Sequence, residues 1–113
     1  MKTNSKNLQE EIRNLPLEEG GNKTGIACIT AYWFTTERIQ MPQTENPYLY
    51  IVIDGALRLY TLSEIMDYMA GQYSVSKIDT PLSGTVLAFS KQQDFLALAV
   101  EFTPNDVITE VLF

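Results

Sequence analysis

Hydrophobic and polar positions follow two different patterns along the chain. Near the start, Leu8, Ile12 and Leu15 are spaced four and three residues apart, which places them on one face of a helix. Pro16 ends this pattern, so a short amphipathic helix is predicted over residues 5–15. Residues 18–23 are polar and include consecutive glycines, and this composition predicts a loop.

From residue 24 to residue 102, short runs of β-branched and aromatic residues alternate with turn residues, which is typical of an all-β sandwich or barrel. About eight strands are predicted from these runs. They cover residues 26–34, 36–41, 48–53, 56–61, 65–69, 72–77, 84–90 and 95–102. Asp54-Gly55 separates two apolar runs, and because this dipeptide is a strong hairpin signal, the strands on either side of it are predicted to pair.

The helical pattern returns at the end of the chain. Thr103 is a capping residue and Pro104 suits the first helical position, so a C-terminal helix is predicted to start here and to occupy residues 104–113. Its apolar face either docks on the barrel of its own chain or pairs with a second copy. The candidate dimerisation residues on that face are Val107, Ile108, Val111 and Leu112.

Length and charge narrow the function classes. The chain has 113 residues, which is room for a single domain, and its content of 45% hydrophobic and 19% charged residues is typical of a packed globular protein. The net charge of −6 disfavours direct DNA or RNA binding, because domains that grip phosphate backbones usually present a basic face.

The absence of histidine and the single cysteine exclude several chemistries. Imidazole metal sites, paired-thiolate metal sites and Ser-His-Asp triads cannot be built, and no disulfide can form within the chain. The N-terminus lacks the apolar core of a signal peptide, and apolar runs of about five residues are far below the roughly 20 that cross a bilayer. We therefore expect a cytoplasmic protein with no membrane partner.

Short strands flanked by a helix at each end suggest a jelly-roll barrel. Four blocks are PYLYIVIDG at 47–55, YMAGQYSVS at 68–76, DTPLSG at 79–84 and FLAL at 95–98. In this order and spacing they resemble the N-terminal domain of AraC-type transcription regulators, over roughly residues 8–112. The resemblance implies a cupin-fold domain that senses an effector and dimerises, followed in the same polypeptide by a helix-turn-helix DNA-binding domain. Nothing in this chain corresponds to that second domain.

Enzymatic cupins usually hold a metal through three histidines and a glutamate. When their two motifs are laid on this sequence from Gly55 and Gly71, the ligand positions fall near residues that do not supply such a site: Pro42, Thr44, Tyr48 and Leu82. The resemblance therefore implies a cupin without a metal, and we expect no cofactor.

An aromatic pocket with a few polar groups is the usual site for a small molecule. The candidates by composition are Trp33, Tyr50, Arg58, Tyr60 and Tyr73. Strand alternation places Tyr50 with Val52 on one side of its strand, and Arg58 with Tyr60 on the side opposite to Leu57 and Leu59. The alternative is that the aromatic residues pack the core and that Arg58 is a surface charge. Asp79 and Glu101 are the carboxylates in interior-looking contexts that could anchor a ligand.

Three functions are compatible with these observations. The first is the metal-free, effector-sensing and dimerising domain of an AraC-type regulator, which is not an enzyme and reaches DNA only through the missing domain. It would bind an unidentified small molecule and form a homodimer in the full-length protein. The alternatives are a stand-alone metal-free cupin enzyme, such as an isomerase or epimerase, and a purely structural dimerisation module.

Overall fold

The computed structural model of the chain describes residues 4–76, 81 and 83–102. It has one helix, α1 (Asn4–Arg13), followed by strands β1 (Gly20–Lys23), β2 (Ile29–Phe34), β3 (Arg38–Ile39), β4 (Tyr48–Asp54), β5 (Ala56–Tyr60), β6 (Ile65–Met69), β7 (Tyr73–Ser76), β8 (Ser83–Ala88) and β9 (Phe95–Glu101). The predicted helix at 104–113 and its candidate dimerisation residues Val107, Ile108, Val111 and Leu112 lie outside the described residues. No helix in the described part of the chain is long and apolar enough to cross a membrane.

The strands form two sheets with antiparallel pairing throughout. The five-stranded sheet has the order β1-β2-β9-β4-β7, and the four-stranded sheet has the order β3-β8-β5-β6. From β2 to β9 the chain passes repeatedly from one sheet to the other, so the two sheets enclose a common interior. This is the jelly-roll arrangement, and the prediction of a mainly β fold with a short N-terminal helix is confirmed.

The interior is filled by inward-facing residues of β2, β3, β4, β5, β8 and β9. In β4, Tyr48, Tyr50 and Val52 face inward, and in β5, Leu57 and Leu59 do so, as their almost complete burial shows. Burying each large apolar side chain stabilises the fold by about 1.5–3 kcal/mol. Other inward residues of this cluster include Phe34, Ile39, Met41, Val86, Phe95, Ala97 and Ala99.

A second apolar cluster joins α1 to the outer face of the five-stranded sheet. Ile12 from the helix packs with Ala31 of β2 and Leu96 of β9, and all three are buried. The helix ends at Arg13, two residues before the predicted end, but Leu15 still packs against this cluster. The amphipathic helix predicted from the leucine and isoleucine spacing therefore lies on the sheet.

The loop predicted at 18–23 is wrong, because Gly20–Lys23 forms β1. This strand is at the edge of the five-stranded sheet and pairs with β2, where Gly21 lies opposite Tyr32. A Cβ atom at Gly21 would lie 3.1 Å from the Tyr32 ring, so the small residue fits the close approach of that ring. Glycine here suits a tightly packed edge strand and is not a loop signal.

The hairpin predicted at Asp54-Gly55 is also wrong, although the turn is present. Gly55 has φ of 102°, a conformation that favours glycine, and a Cβ there would lie 2.8 Å from the carbonyl oxygen of Ala88. However, β4 before the turn pairs with β7 and β9, whereas β5 after it pairs with β6 and β8. The turn therefore carries the chain from one sheet to the other.

Candidate functional site

Polar and aromatic side chains meet on the inner face of the five-stranded sheet, on strands β2, β9 and β4. Across this sheet Tyr32 is paired with Ala97, Tyr50 with Ala99, and Tyr48 with Glu101. Paired residues project from the same face of a sheet, and the small alanines of β9 leave room for the larger rings on either side. We call this group the tyrosine site; its members are Tyr32, Tyr48, Tyr50 and Glu101.

The three rings of the tyrosine site are in contact. The ring centroids of Tyr32 and Tyr50 are 5.9 Å apart, and those of Tyr48 and Tyr50 are 6.4 Å apart with an interplanar angle of 70°. These separations lie within the range in which aromatic pairs stabilise each other by about 0.5–1.5 kcal/mol. Tyr50 therefore packs between the rings of Tyr32 and Tyr48.

The Tyr50 hydroxyl is a buried polar group of the site without a hydrogen-bond partner among the described residues. Its residue is 1% exposed, and its hydroxyl makes no hydrogen bond with the part of the chain that the structure describes. An unsatisfied buried hydroxyl costs about 1–3 kcal/mol. Burial raises the pKa of Tyr50 well above its ordinary value, so the hydroxyl stays protonated and can donate or accept a hydrogen bond.

Glu101 places a carboxylate at one end of the tyrosine site. It is partly buried, and its Oε1 atom accepts a hydrogen bond from the Thr44 hydroxyl. Tyr32 lies close enough to be affected: burial, and then the negative charge of Glu101, raise the pKa of the Tyr32 hydroxyl. The interior position expected for Glu101 from the sequence agrees with this geometry, whereas Asp79 lies outside the described residues.

The ligand candidates predicted from composition do not converge on one pocket. Tyr50 lies in the tyrosine site, and Trp33 lies on the opposite, outer face of the same sheet, beside α1. Arg58 and Tyr60 are on the outer face of the four-stranded sheet, as their predicted alternation requires, and Arg58 binds Asp67 there through nitrogen–oxygen distances of 2.7 and 3.0 Å. Tyr73 is on edge strand β7 and is 61% exposed.

Tyr32 and Tyr48 belong to the site without being among those candidates, and Glu101 was expected only as a carboxylate in an interior-looking context. Each has the inward parity of its own strand, but the parity becomes informative only once the order β2-β9-β4 is known. Composition alone selects aromatic residues and cannot tell which of them share a face. The alternation of Tyr48 and Tyr50 in the third predicted strand was the available signal.

A second polar cluster, on the outer side of the fold, was not predicted. Asp94 accepts hydrogen bonds from Arg13 Nη1 at 2.7 Å, Arg13 Nη2 at 3.0 Å, Trp33 Nε1 at 2.9 Å, and the Ser90 hydroxyl. Arg13 Nη2 also binds Asp54 at 3.0 Å. We call these residues (Arg13, Trp33, Asp54, Ser90 and Asp94) the Asp94 network.

The Asp94 network is a docking point for α1. Burial alone would raise the pKa of Asp94, but the hydrogen bonds from Arg13, Ser90 and Trp33 outweigh burial and lower that pKa to about 2. The network therefore holds the ionised Asp94 carboxylate of the β8–β9 loop against the helix. An open cleft of about 420 Å³ lies beside it, lined by Gln9, Glu10, Arg13, Asp54, Lys91 and Gln92.

No group of three or more cysteine, aspartate or glutamate side chains converges among the residues that the structure describes. At the positions aligned with cupin ligands, Thr44 binds Glu101 and Tyr48 is part of the tyrosine site. Leu82 lies outside the described residues.

Comparisons with known proteins identify the fold and a family. The family model for the AraC-type transcriptional regulator N-terminus matches residues 25–112. The comparison with curated proteins found no match. A cupin-2 domain containing protein from Shewanella frigidimarina is 10% identical with a TM-score of 0.54, covering 85% of this chain and 92% of that chain. The cupin domain of Cnp3 from Schizosaccharomyces pombe is 6% identical with a TM-score of 0.56, covering 88% and 77%. At such identities these likenesses show the cupin fold alone.

Proposed function

Because the chain belongs to the AraC-type transcriptional regulator N-terminus family, we propose that it senses a small-molecule effector and transmits the binding event to a DNA-binding domain. The observation that carries this proposal is the Tyr50 hydroxyl, which is buried inside the barrel without a partner among the described residues. A ligand that hydrogen-bonds this hydroxyl recovers the free energy lost when it was desolvated.

The binding signal reaches the rest of the protein as a shift of populations. An effector changes the arrangement of a regulator only to the extent that it binds one arrangement more tightly than another. Strands β2, β9 and β4 carry the tyrosine site on one face and pack against α1 on the other. A ligand bound at the tyrosine site therefore acts on the same strands that pack against α1.

The negative net charge of the chain favours contact with DNA through a separate helix-turn-helix domain and not through this one. We propose that the full-length protein is a cytoplasmic homodimer. The domain acts by binding and not by catalysis, and it uses no cofactor.

The test is a thermal-denaturation screen of the chain against neutral, cationic and anionic metabolites. A ligand that binds only the folded state stabilises it by about 2.7 kcal/mol at a concentration of 100 times Kd, which raises Tm measurably. Tyr50→Phe should weaken the binding of any active compound about tenfold, which is the effect of losing one buried hydrogen bond. Tyr73→Phe, the same chemical change on an exposed ring, should leave the affinity unchanged.

The alternatives predict different results. If no compound raises Tm, the sensing proposal fails and a structural dimerisation module is supported. If a compound binds and is converted to another during incubation, as chromatography would show, the enzyme alternative is supported.

A further inference from the structure

Glu101 has no basic partner among the side chains that the structure describes. The hydrogen bond from Thr44 satisfies one carboxylate oxygen, but a neutral hydroxyl does not cancel the negative charge. In the part of the chain that the structure describes, no lysine or arginine forms an ion pair with Glu101. Glu101 is nevertheless partly buried and on the inner face. A partly buried carboxylate normally has such a partner.

The basic side chains that the structure describes are placed elsewhere. Arg13 belongs to the Asp94 network, and Arg58 pairs with Asp67 on the outside of the other sheet. Arg38 and Lys91 are exposed, on β3 and on the β8–β9 loop. Lys23 has the same register face as Thr30, but it is exposed on edge strand β1 and is more than 4.0 Å from Glu101, so it does not complete the site.

The rings of the tyrosine site, like Glu101, favour a positively charged ligand. The face of an aromatic ring carries partial negative charge, so a cation within about 6 Å of its centroid is attracted, and more strongly when it is desolvated. Tyr32 is partly buried beside Glu101, and Tyr50 follows at 5.9 Å between ring centroids. Both kinds of group attract a cation, and both oppose an anion.

From this combination we propose that the effector is a primary organic ammonium ion. Its nitrogen lies at the Glu101 carboxylate, against the ring of Tyr32, and its carbon skeleton or second polar group reaches the Tyr50 hydroxyl. This inference rests on the proposed sensing function and adds the chemical class of the ligand. In this proposal the Glu101 carboxylate binds the ammonium group, and the tyrosine rings contact the rest of the ligand.

The test measures binding to the unchanged chain by isothermal titration calorimetry with probes that share a skeleton and differ in charge. The sets are butylammonium, butanol and butyrate, and phenethylammonium, phenethyl alcohol and phenylacetate. Each ammonium ion should bind at least about tenfold more tightly than its alcohol, corresponding to about 1.4 kcal/mol, and the carboxylates should bind least. If an alcohol or a carboxylate binds as tightly as its ammonium counterpart, the charge assignment is overturned while the sensing function stands.

A variant separates the charge of Glu101 from its shape. Glu101→Gln should weaken ammonium binding about tenfold and leave alcohol binding unchanged, because it keeps the hydrogen bond to Thr44 but removes the charge. The matched control is Glu64→Gln, an exposed carboxylate at the β5–β6 turn, which should change neither affinity. A loss of affinity for the alcohol as well as for the ammonium ion would overturn the electrostatic role.

The failures of the two proposals are distinguishable. If no ammonium probe binds, but neutral or anionic metabolites raise Tm in the broader screen, the ligand class is wrong and the sensing function is retained. If nothing binds in either experiment, both proposals fail.

Discussion

The polar groups on the two faces of the five-stranded sheet differ in whether they have hydrogen-bond and ion-pair partners. On the outer face, both carboxylate oxygens of Asp94 accept hydrogen bonds, and its charge is balanced by Arg13. On the inner face, the Tyr50 hydroxyl has no partner among the described residues and Glu101 has no basic partner there. A completed polar cluster fixes the position of a structural element, whereas an incomplete one marks where another molecule can bind.

The comparison predicts which face is sensitive to mutation in the absence of ligand. Removing one member of a completed buried cluster leaves the others desolvated and unpaired, which is strongly destabilising. Removing an unpaired group relieves a cost that the unliganded fold already carries. The inner and outer faces should therefore respond to polar-to-apolar substitutions with opposite signs.

The largest expected effect is that of Asp94→Ala. It leaves the Arg13 guanidinium without its main partner and the Trp33 indole N–H without an acceptor, so we expect a loss of about 3 kcal/mol in the free energy of unfolding. Urea denaturation followed by circular dichroism measures this. The control is Asp67→Ala, which breaks an exposed pair with Arg58 and should cost no more than about 0.5 kcal/mol. Equal losses in the two variants would contradict the distinction between the clusters.

Lowering the pH should remove the stabilisation that the ionised Asp94 carboxylate gives to the outer face. The pKa of Asp94 is lowered from 3.8 to about 2 in the fold. Its ionised form is therefore favoured by folding, and this stabilisation is present above about pH 4 and is lost as the pH falls through about 2. The contribution is about 2 kcal/mol, because one pKa unit corresponds to about 1.4 kcal/mol.

Urea denaturation at several pH values between 2 and 6 (roughly the range over which carboxylates titrate) checks this expectation. The slope of stability against pH should be shallower in Asp94→Asn than in the unchanged chain. An identical slope would mean that Asp94 does not couple acid to unfolding.

The smallest expected effect has the opposite sign. Tyr50→Phe removes a buried hydroxyl that has no partner in the described part of the chain and should raise the free energy of unfolding by about 1 kcal/mol in the absence of ligand. Tyr73→Phe, on an exposed ring, should change it by only a few tenths of a kcal/mol. Destabilisation by Tyr50→Phe in the unliganded chain would show that the hydroxyl is already satisfied.

Much of the fold was predictable because it depends on local patterns. The spacing of Leu8, Ile12 and Leu15 predicts α1, and strand alternation places Tyr50 and Val52 on the same side of β4. The partner of each strand was not predictable in the same way. Asp54-Gly55 specifies a turn, but which strands pair across it is decided by packing between distant segments.

The candidate site was predictable only in part for the same reason. Tyr50 and Glu101 were each indicated by the sequence, but they and Tyr32 are brought together by pairing between strands far apart in the sequence. The Asp94 network joins Arg13 and Asp94, which are 81 residues apart, so no local spacing indicates it. Arg58 and Tyr73 are residue types suited to a ligand pocket, but both side chains lie on outward faces of the sheets.

The position of Trp33 gives the chain a built-in optical probe. It is the single tryptophan of the sequence, it follows Tyr32 directly on β2, and its indole N–H donates to Asp94. Its emission wavelength should therefore report the integrity of the outer face, since loss of that contact exposes the indole to water. Excitation energy transferred to it from the tyrosines on the inner face should change when a ligand occupies their site. One fluorescence measurement can thus follow both faces of the sheet without an added label.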